Sequence, residues 1–226
     1  MFVTLIIPAL NEAECLGTLL KEIPLNLVDQ LIVVDNGSTD DTSRIAQSAG
    51  AIVVNEPRRG YGYACAAGIA IAEGDVLVFM DGDGSFLPGE LPDLLAPLDE
   101  YKADLVLGSR FLKNDLQPIS MPFHQRLGNQ LFVWILEQRY GLALTDIGPF
   151  RAIRRELLLV LDMQEHTYGW PLEMIVKTAR LRRPLVELPI TYRPRIAGQS
   201  KVSGTVFGTF LTAYRYVRVI FRFGFI

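Results

Sequence analysis

Short apolar runs alternate with segments of helical periodicity along the first half of the chain. Val3–Ile7 is the first run, and Asn11-Glu12-Ala13-Glu14 opens a helical pattern that continues to Ile23. Leu31–Val34 is the second run, and Thr39-Asp40-Asp41-Thr42 opens the next helix. Ala51–Val54 is the third, followed by a helix over Tyr63–Ala72. Val76–Met80 and Leu105–Gly108 are the fourth and fifth. Runs apolar nearly throughout are the mark of strands buried on both faces, and helices between them imply a parallel sheet covered on both sides. This predicts an α/β nucleotide-binding architecture, Rossmann-like, with ligands at the carboxyl ends of the strands.

The second half is less regular. Gln125–Tyr140 reads as a helix, Pro149–Ile153 as a strand, Leu172–Leu181 as a helix and Leu185–Tyr192 as a strand. Gly204–Phe223 is a last, long helical pattern. No linker composition or repeat separates the halves, so residues 1–203 are expected to form one domain, with 204–226 an amphipathic C-terminal helix. A chain of 226 residues fits that organisation.

Composition narrows the class. Half the residues are hydrophobic and 21% are charged, which excludes a disordered chain. The net charge of −3 gives no footprint for nucleic acid. Cys15 and Cys65 make no C-x-x-C pair and no zinc pattern with His124 and His166, so they read as reduced thiols. The opening apolar run lacks a basic stretch and ends at Asn11, too short for a leader or a span. The expectation is a cytoplasmic chain, free or bound at the face of the membrane.

Candidate chemistry gathers after the strands. Pro8-Ala9-Leu10-Asn11-Glu12 follows the first, Asp35-Asn36-Gly37-Ser38 the second, and Asp81-Gly82-Asp83-Gly84-Ser85 the fourth. The strand rule puts all three on one edge of the sheet. Asp81 and Asp83 are two carboxylates on a tight turn, where Gly82 and Gly84 let backbone approach a ligand. Such hard oxygens suit Mg²⁺ or Mn²⁺ bridging a substrate diphosphate, and equally an ordinary acidic turn. Asp35 either caps the turn after it or accepts from a nucleoside. Arg58-Arg59-Gly60-Tyr61-Gly62 is a basic, Gly-rich approach to a helix, but neither a Walker A loop nor a dinucleotide fingerprint. Arg193–Lys201 concentrates cations around Gly198, as a loop would that closes over phosphates.

Taken in order, these strings resemble the family 2 glycosyltransferases of the GT-A fold. The set is Ile7–Glu12, Val33–Asp40, Gly60-Tyr61-Gly62, Phe79–Asp83 and Gly108-Ser109-Arg110-Phe111. Arg126-Leu127-Gly128-Asn129, Asp146 with Phe150-Arg151-Ala152, and Arg195 through Ser200-Lys201 are similar to the polyprenyl-phosphate glycosyltransferases of the dolichyl-phosphate mannose synthase type. The resemblance implies that Pro8, Leu10, Glu12 and Asp35 hold the nucleoside of a GDP-mannose or UDP-glucose type donor. It implies that Asp81, Asp83 and Ser85 hold a metal ion and the diphosphate, with Gly82 between them. Ser85 stands where related enzymes of the mannose synthase type often carry Gln. Arg110 would face the sugar or diphosphate, and Arg126, Arg195 and Lys201 would contact phosphates. Glu173 occupies the place of a catalytic base, or is a helix N-terminal Glu of no catalytic meaning.

The expected reaction is inverting transfer of a sugar to an acceptor, polyprenyl phosphate being the acceptor the narrower resemblance implies and a non-lipid acceptor the alternative. Two rivals are weaker. A nucleotidyltransferase lacks support because Pro8–Glu12 has no Gly and no cation. A non-catalytic sugar-nucleotide-binding protein is disfavoured by Asp81, Asp83, Arg195 and Lys201. In the last helix, Phe210-Leu211, Tyr214, Val217 and Phe221 repeat at helical spacing beside Arg215, Arg218 and Arg222, and an apolar tail follows. That pattern fits a membrane interface or a helix packed on the core.

Overall fold

The computed structural model describes residues 1–113, 122–198 and 206–224. Seven strands form one sheet: β1 (Val3–Ala9), β2 (Gln30–Asp35), β3 (Ile52–Asn55), β4 (Val76–Phe79), β5 (Leu105–Ser109), β6 (Arg151–Arg154) and β7 (Leu185–Pro189). Their order is β3-β2-β1-β4-β6-β5-β7. β1 lies parallel to β2 and β4, with Ala9 opposite Asp35 and Val3 opposite Val76. β5 and β7 are also parallel to each other. β6 runs antiparallel to both neighbours, with Phe79 opposite Arg151 and Leu105 opposite Ile153. The sheet is therefore mostly parallel.

The helices are α1 (Ala13–Glu22), α2 (Thr42–Ser48), α3 (Tyr61–Ile71), α4 (Leu91–Asp99), α5 (Phe123–Tyr140), α6 (Arg155–Leu161), α7 (Trp170–Arg180) and α8 (Val206–Phe223). Strand alternation sorts the core into two layers. Leu5 and Ile7 of β1 face α1, α2 and α4, where Leu16, Leu19, Leu94 and Leu98 are buried. Ile6, Leu77 and Phe79 face the other way, toward Cys65 of α3, Phe132 and Leu136 of α5, Trp170 of α7, and Val219 and Phe223 of α8. α8 thus belongs to the same core as the sheet. Both cysteines are buried free thiols.

The topology fixes where the site must be. The carboxyl ends of β1, β2, β4, β5 and β7 share one edge, and the segment 146–150 enters β6 from that edge because β6 is reversed. Gly60 and Gly62 keep α3 tight against the loop between α6 and α7. A Cβ on either would fall on the carbonyl oxygen of His166 or Glu165. Tyr63 donates its amide to His166 O at 3.1 Å and stacks on the His166 ring. No helix among the described residues is long and apolar enough to cross a membrane.

Candidate active site

Arg195 is the centre of the carboxylate cluster. Its Nη2 donates to both Glu12 oxygens, at 2.8 and 2.7 Å, and its Nη1 to Asp83 Oδ2 at 2.9 Å. Glu12 sits where β1 ends, its amide bonded to Thr42 Oγ1 at 2.9 Å. The loop after β7 is docked on the Asp81–Ser85 turn: Arg193 Nε reaches Gly84 O at 2.6 Å, and Ile196 N reaches Asp83 O at 3.3 Å. One guanidinium bridges two carboxylates and screens their mutual repulsion, in geometry suited to Arg.

Ser85, expected from sequence to help hold a metal with Asp81 and Asp83, sits directly against Asp83. It is buried, and both its hydroxyl (2.6 Å) and its amide (2.9 Å) donate to Asp83 Oδ1. Its short side chain reaches only as far as Asp83, so it orients that carboxylate. Among the described residues no three His, Cys, Asp or Glu side chains gather into a metal cage. Two hard carboxylates on one turn still suit Mg²⁺ or Mn²⁺, because such ions are commonly held by one or two carboxylates plus substrate phosphates.

The nucleoside side is built on the end of β2. Asp35 accepts from Ser38 N at 2.7 Å and from the Ser43 hydroxyl. Burial opposes its charge, but the bonds from Ser43 and Ser38 outweigh it and hold the carboxyl below the ordinary range. Both open readings of Asp35 survive here, since it closes its own turn and still lies at the edge beside Pro8 and Leu10. Asn36 ties down the basic loop, donating to Glu56 O (3.0 Å) and Arg58 O (2.7 Å) while accepting from Gly60 N (2.9 Å). Glu56 grips Arg58 through Nε (2.8 Å), Nη2 (2.6 Å) and the backbone amide (2.9 Å). Those bonds lower its pKa to about 2.

Beside the carboxylates, a cavity of about 250 Å³ opens between α5 and α8. Its lining is largely apolar and aromatic: Tyr61, Phe132, Ile147, Tyr168 and Tyr216, with Gln125 and Asn129 at its polar side. Asp81 and Arg110 also line it. Burial, then the neighbouring Asp83, push the Asp81 carboxyl up to about 7, against the pull of Arg110 and Arg195. Arg110 is fixed by Asp146 in a bidentate pair, both bonds 2.7 Å, and lies over the Tyr192 ring. Asp146 is itself held by Glu187, whose carboxylate accepts from the amides of Thr145 and Asp146. Arg151, fully buried, donates to Gly148 O and to Pro171 O, joining this segment to α7. The Tyr61 hydroxyl is buried without a partner among the described residues.

Glu173 is turned away from this chemistry. It is fully buried and accepts from Gln164 N (2.9 Å) and Glu165 N (2.7 Å), with Lys177 Nζ at 2.7 Å. Both carboxylate oxygens are engaged as acceptors, so Glu173 anchors the loop carrying His166 and Tyr168, as a structural Glu in the first turn of α7 would. Arg126 is half-buried on α5, beside the cavity-lining Gln125. Lys201, Phe225 and Ile226 lie outside the described residues. Sequence reasoning did not single out Glu187, although an acid between Val186 and Leu188 in an apolar strand was the available signal. Nor did it foresee the tyrosines of the cavity, which come from three helices or loops remote in sequence.

The profile of glycosyl transferase family 2 matches residues 4–161. An uncharacterised glycosyltransferase of Mycobacterium tuberculosis is 41% identical over 218 residues, covering 96% of this chain and 97% of its own. The undecaprenyl-phosphate mannosyltransferase of Micrococcus luteus is 36% identical over 228 residues, covering 92% of this chain and 90% of its own. The crystal structure of glucosyl-3-phosphoglycerate synthase from M. tuberculosis, in complex with Mn²⁺, UDP and phosphoglyceric acid, superposes with a TM-score of 0.79 at 23% identity. It covers 100% of this chain and 79% of that one, a likeness of fold. Since the family match takes in most of the chain and relatives of this identity cover more than nine-tenths of it, the chain belongs to glycosyl transferase family 2 and is a glycosyltransferase.

Proposed function

We propose that this enzyme transfers a hexose from a nucleoside diphosphate sugar, of the GDP-mannose or UDP-glucose type, to a polyprenyl phosphate. One observation carries the acceptor: the cavity between α5 and α8 has apolar, aromatic walls and Arg110 beside Asp81 within it. A lipid phosphate has the same distribution of chemistry, an apolar chain ending in an anion. The name of the Micrococcus relative supports the same acceptor class.

Pro8, Leu10, Glu12 and Asp35 receive the nucleoside. Asp83, oriented by Ser85 and flanked by Asp81, would hold Mg²⁺ or Mn²⁺ together with the donor diphosphate. Bound there, the ion supplies Lewis-acid stabilisation of charge on that diphosphate. Arg195 exchanges part of its carboxylate pairing for the diphosphate, and Lys201 of the same loop adds a second cation. Arg110, and Arg126 nearby on α5, steer the acceptor phosphate. One phosphate oxygen attacks the anomeric carbon as the bond from that carbon to the diphosphate breaks, and the nucleoside diphosphate leaves with the electron pair. Configuration inverts in this single displacement. A phosphate is already anionic near neutral pH, so the reaction needs no base in the place of Glu173.

The test is a panel of GDP-mannose and UDP-glucose with Mg²⁺ or Mn²⁺, with and without a short-chain polyprenyl phosphate, and with 3-phosphoglycerate in a parallel arm. Released nucleoside diphosphate and lipid-linked sugar are both measured. Release from one donor, dependent on the lipid phosphate and lost in a folded Asp83→Asn variant, is the expected result. Release driven by 3-phosphoglycerate and not by the lipid overturns the acceptor.

A further inference from the structure

The outer face of α5 is apolar. Phe123, Leu127, Leu131 and Trp134 follow one another at helical spacing, and each is between 52% and 79% exposed. The opposite face of the same helix supplies Phe132 and Leu136 to the core. α8 repeats the arrangement: Val219 and Phe223 are buried, while Leu211, Tyr214, Val217 and Phe221 are 37% to 68% exposed. The two helices touch through Phe132 and Tyr216, whose rings meet edge to face with centroids 5.0 Å apart. The cavity holding Asp81 and Arg110 lies between them. Two adjoining apolar stripes of this size are more than the scattered apolar residues of an ordinary surface.

We propose that α5 and α8 together form a docking surface for an anionic lipid bilayer, with α5 the principal contact. This deepens the lipid-phosphate reading of the site and rests on it. Charge decides the occupant. α5 and α8 carry five arginines (Arg126, Arg139, Arg215, Arg218 and Arg222) against the single acid Glu137, in a chain that has 25 acidic and 22 basic residues overall. A cationic rim around aromatic and aliphatic side chains is what an interfacial helix presents to anionic headgroups. A second copy docking through the same face would set these arginines against each other. Docking in this orientation places the cavity against the membrane, so an acceptor can enter between the helices with its chain still in the bilayer.

The two tryptophans make the surface readable. Trp134 is exposed on the α5 stripe and Trp170 is buried in the core. The full chain is floated with vesicles of phosphatidylcholine and phosphatidylglycerol, and its fluorescence is followed with brominated acyl chains as quenchers. A triple variant, Phe123→Gln, Leu127→Gln and Leu131→Gln, keeps Trp134 as reporter and leaves every cavity-lining residue in place. The wild type is expected to co-float, with its emission shifted to the blue and quenched, and with binding weakened by salt. The triple variant should bind at least tenfold more weakly, while its transfer to a short, water-soluble polyprenyl phosphate stays within twofold of wild type. Equal flotation of both proteins without quenching overturns the role of α5. A wild type that ignores vesicles but sediments as a dimer, with the triple variant monomeric, overturns the lipid in favour of a second copy. A wild type that neither floats nor dimerises overturns the surface altogether. The water-soluble acceptor assay reports on the acceptor class without vesicles, so its failure separates the loss of that reading from the loss of this one.

Discussion

Glu173 and Arg195 show how much depends on what a charged side chain already holds. The sequence put Arg195 on a phosphate and left Glu173 either a base or a structural Glu at a helix N-terminus. Arg195 bridges Glu12 and Asp83 at the strand edge, where a diphosphate can compete for it. Glu173 has no exposure, and its carboxylate is consumed by two backbone amides and Lys177. Glu173→Ala leaves the amides of Gln164 and Glu165 without their acceptor and takes the carboxylate from Lys177, which keeps Asp162 O, and costs about 3 kcal/mol. In a chain of this size that lowers Tm by about 6–12 °C. Per folded molecule, kcat should stay within a few-fold of wild type, with any change falling on KM through the loop bearing Tyr168. Thermal unfolding and steady-state kinetics on the same preparation check this, and an unchanged Tm with kcat lost would restore the base. Glu56 gives a pH prediction. Its folded pKa, about 2, lies below the ordinary Glu value, so its pairing with Arg58 stabilises the fold fully above the unfolded pKa. That contribution disappears as pH falls from about 4.5 toward 2. The stability gap between wild type and Glu56→Gln should therefore be present at neutral pH and close in acid, read by denaturant unfolding at a series of pH values.

At the scale of elements, the buried strands were the most legible part of the chain. β1, β2 and β4 are apolar toward both layers, so their runs stand out and their following turns carry the carboxylates. The reversal of β6 was not legible, because direction is set by where the chain re-enters the sheet and leaves no local trace in Arg151–Arg154. α4 was not singled out from the sequence: it holds Pro92 and Pro97, although Leu91, Leu94, Leu95 and Leu98 keep helical spacing and are buried. The first proline lies in the opening turn, where its missing N–H costs nothing. α5 was legible as a helix but its faces were not, since apolar residues occupy two sides and periodicity cannot say which one meets the core. The contact of α3 with the loop before α7 was hidden as well. Gly60-Tyr61-Gly62 stood out as part of a basic, Gly-rich approach to a helix, and in the structure these glycines admit the backbone of Glu165 and His166. Gly62→Ala should therefore destabilise the protein by about 1–3 kcal/mol through overpacking against backbone. It should also weaken donor and acceptor affinity together, because the displaced loop adjoins both the basic turn and Tyr168. Calorimetry of nucleoside diphosphate binding, alongside thermal unfolding, checks both halves.

For the molecule as a whole, the decisive question is whether α8 is an appendage or a wall. The boundary expected at residues 203 and 204 treats it as an addition to a finished domain. Its contacts argue otherwise. Val219 and Phe223 are buried in the layer that contains Trp170 and Leu136. The last turn of α8 is pinned by Arg180 Nη1 to Phe223 O (2.7 Å), and the residue after it by Tyr140 Oη to Gly224 O (3.1 Å). Thr212, Ala213 and Tyr216 of α8 complete the cavity. Burying two such apolar side chains contributes about 3–6 kcal/mol, a large share of the roughly 5–15 kcal/mol that holds a domain folded. A chain ending at residue 205 should therefore lose about 10–20 °C in Tm. At a temperature where it remains folded, it should still bind nucleoside diphosphate, because Glu12, Asp35, Asp83 and Arg195 rest on the strand edge. Transfer to the lipid phosphate should be abolished, because one wall of the acceptor cavity is gone. Scanning calorimetry, nucleotide titration and the transfer assay separate these effects. A truncated chain that keeps its Tm to within a few degrees, and still transfers to a water-soluble acceptor, would make α8 an anchor alone and place both the core and the cavity in residues 1–203.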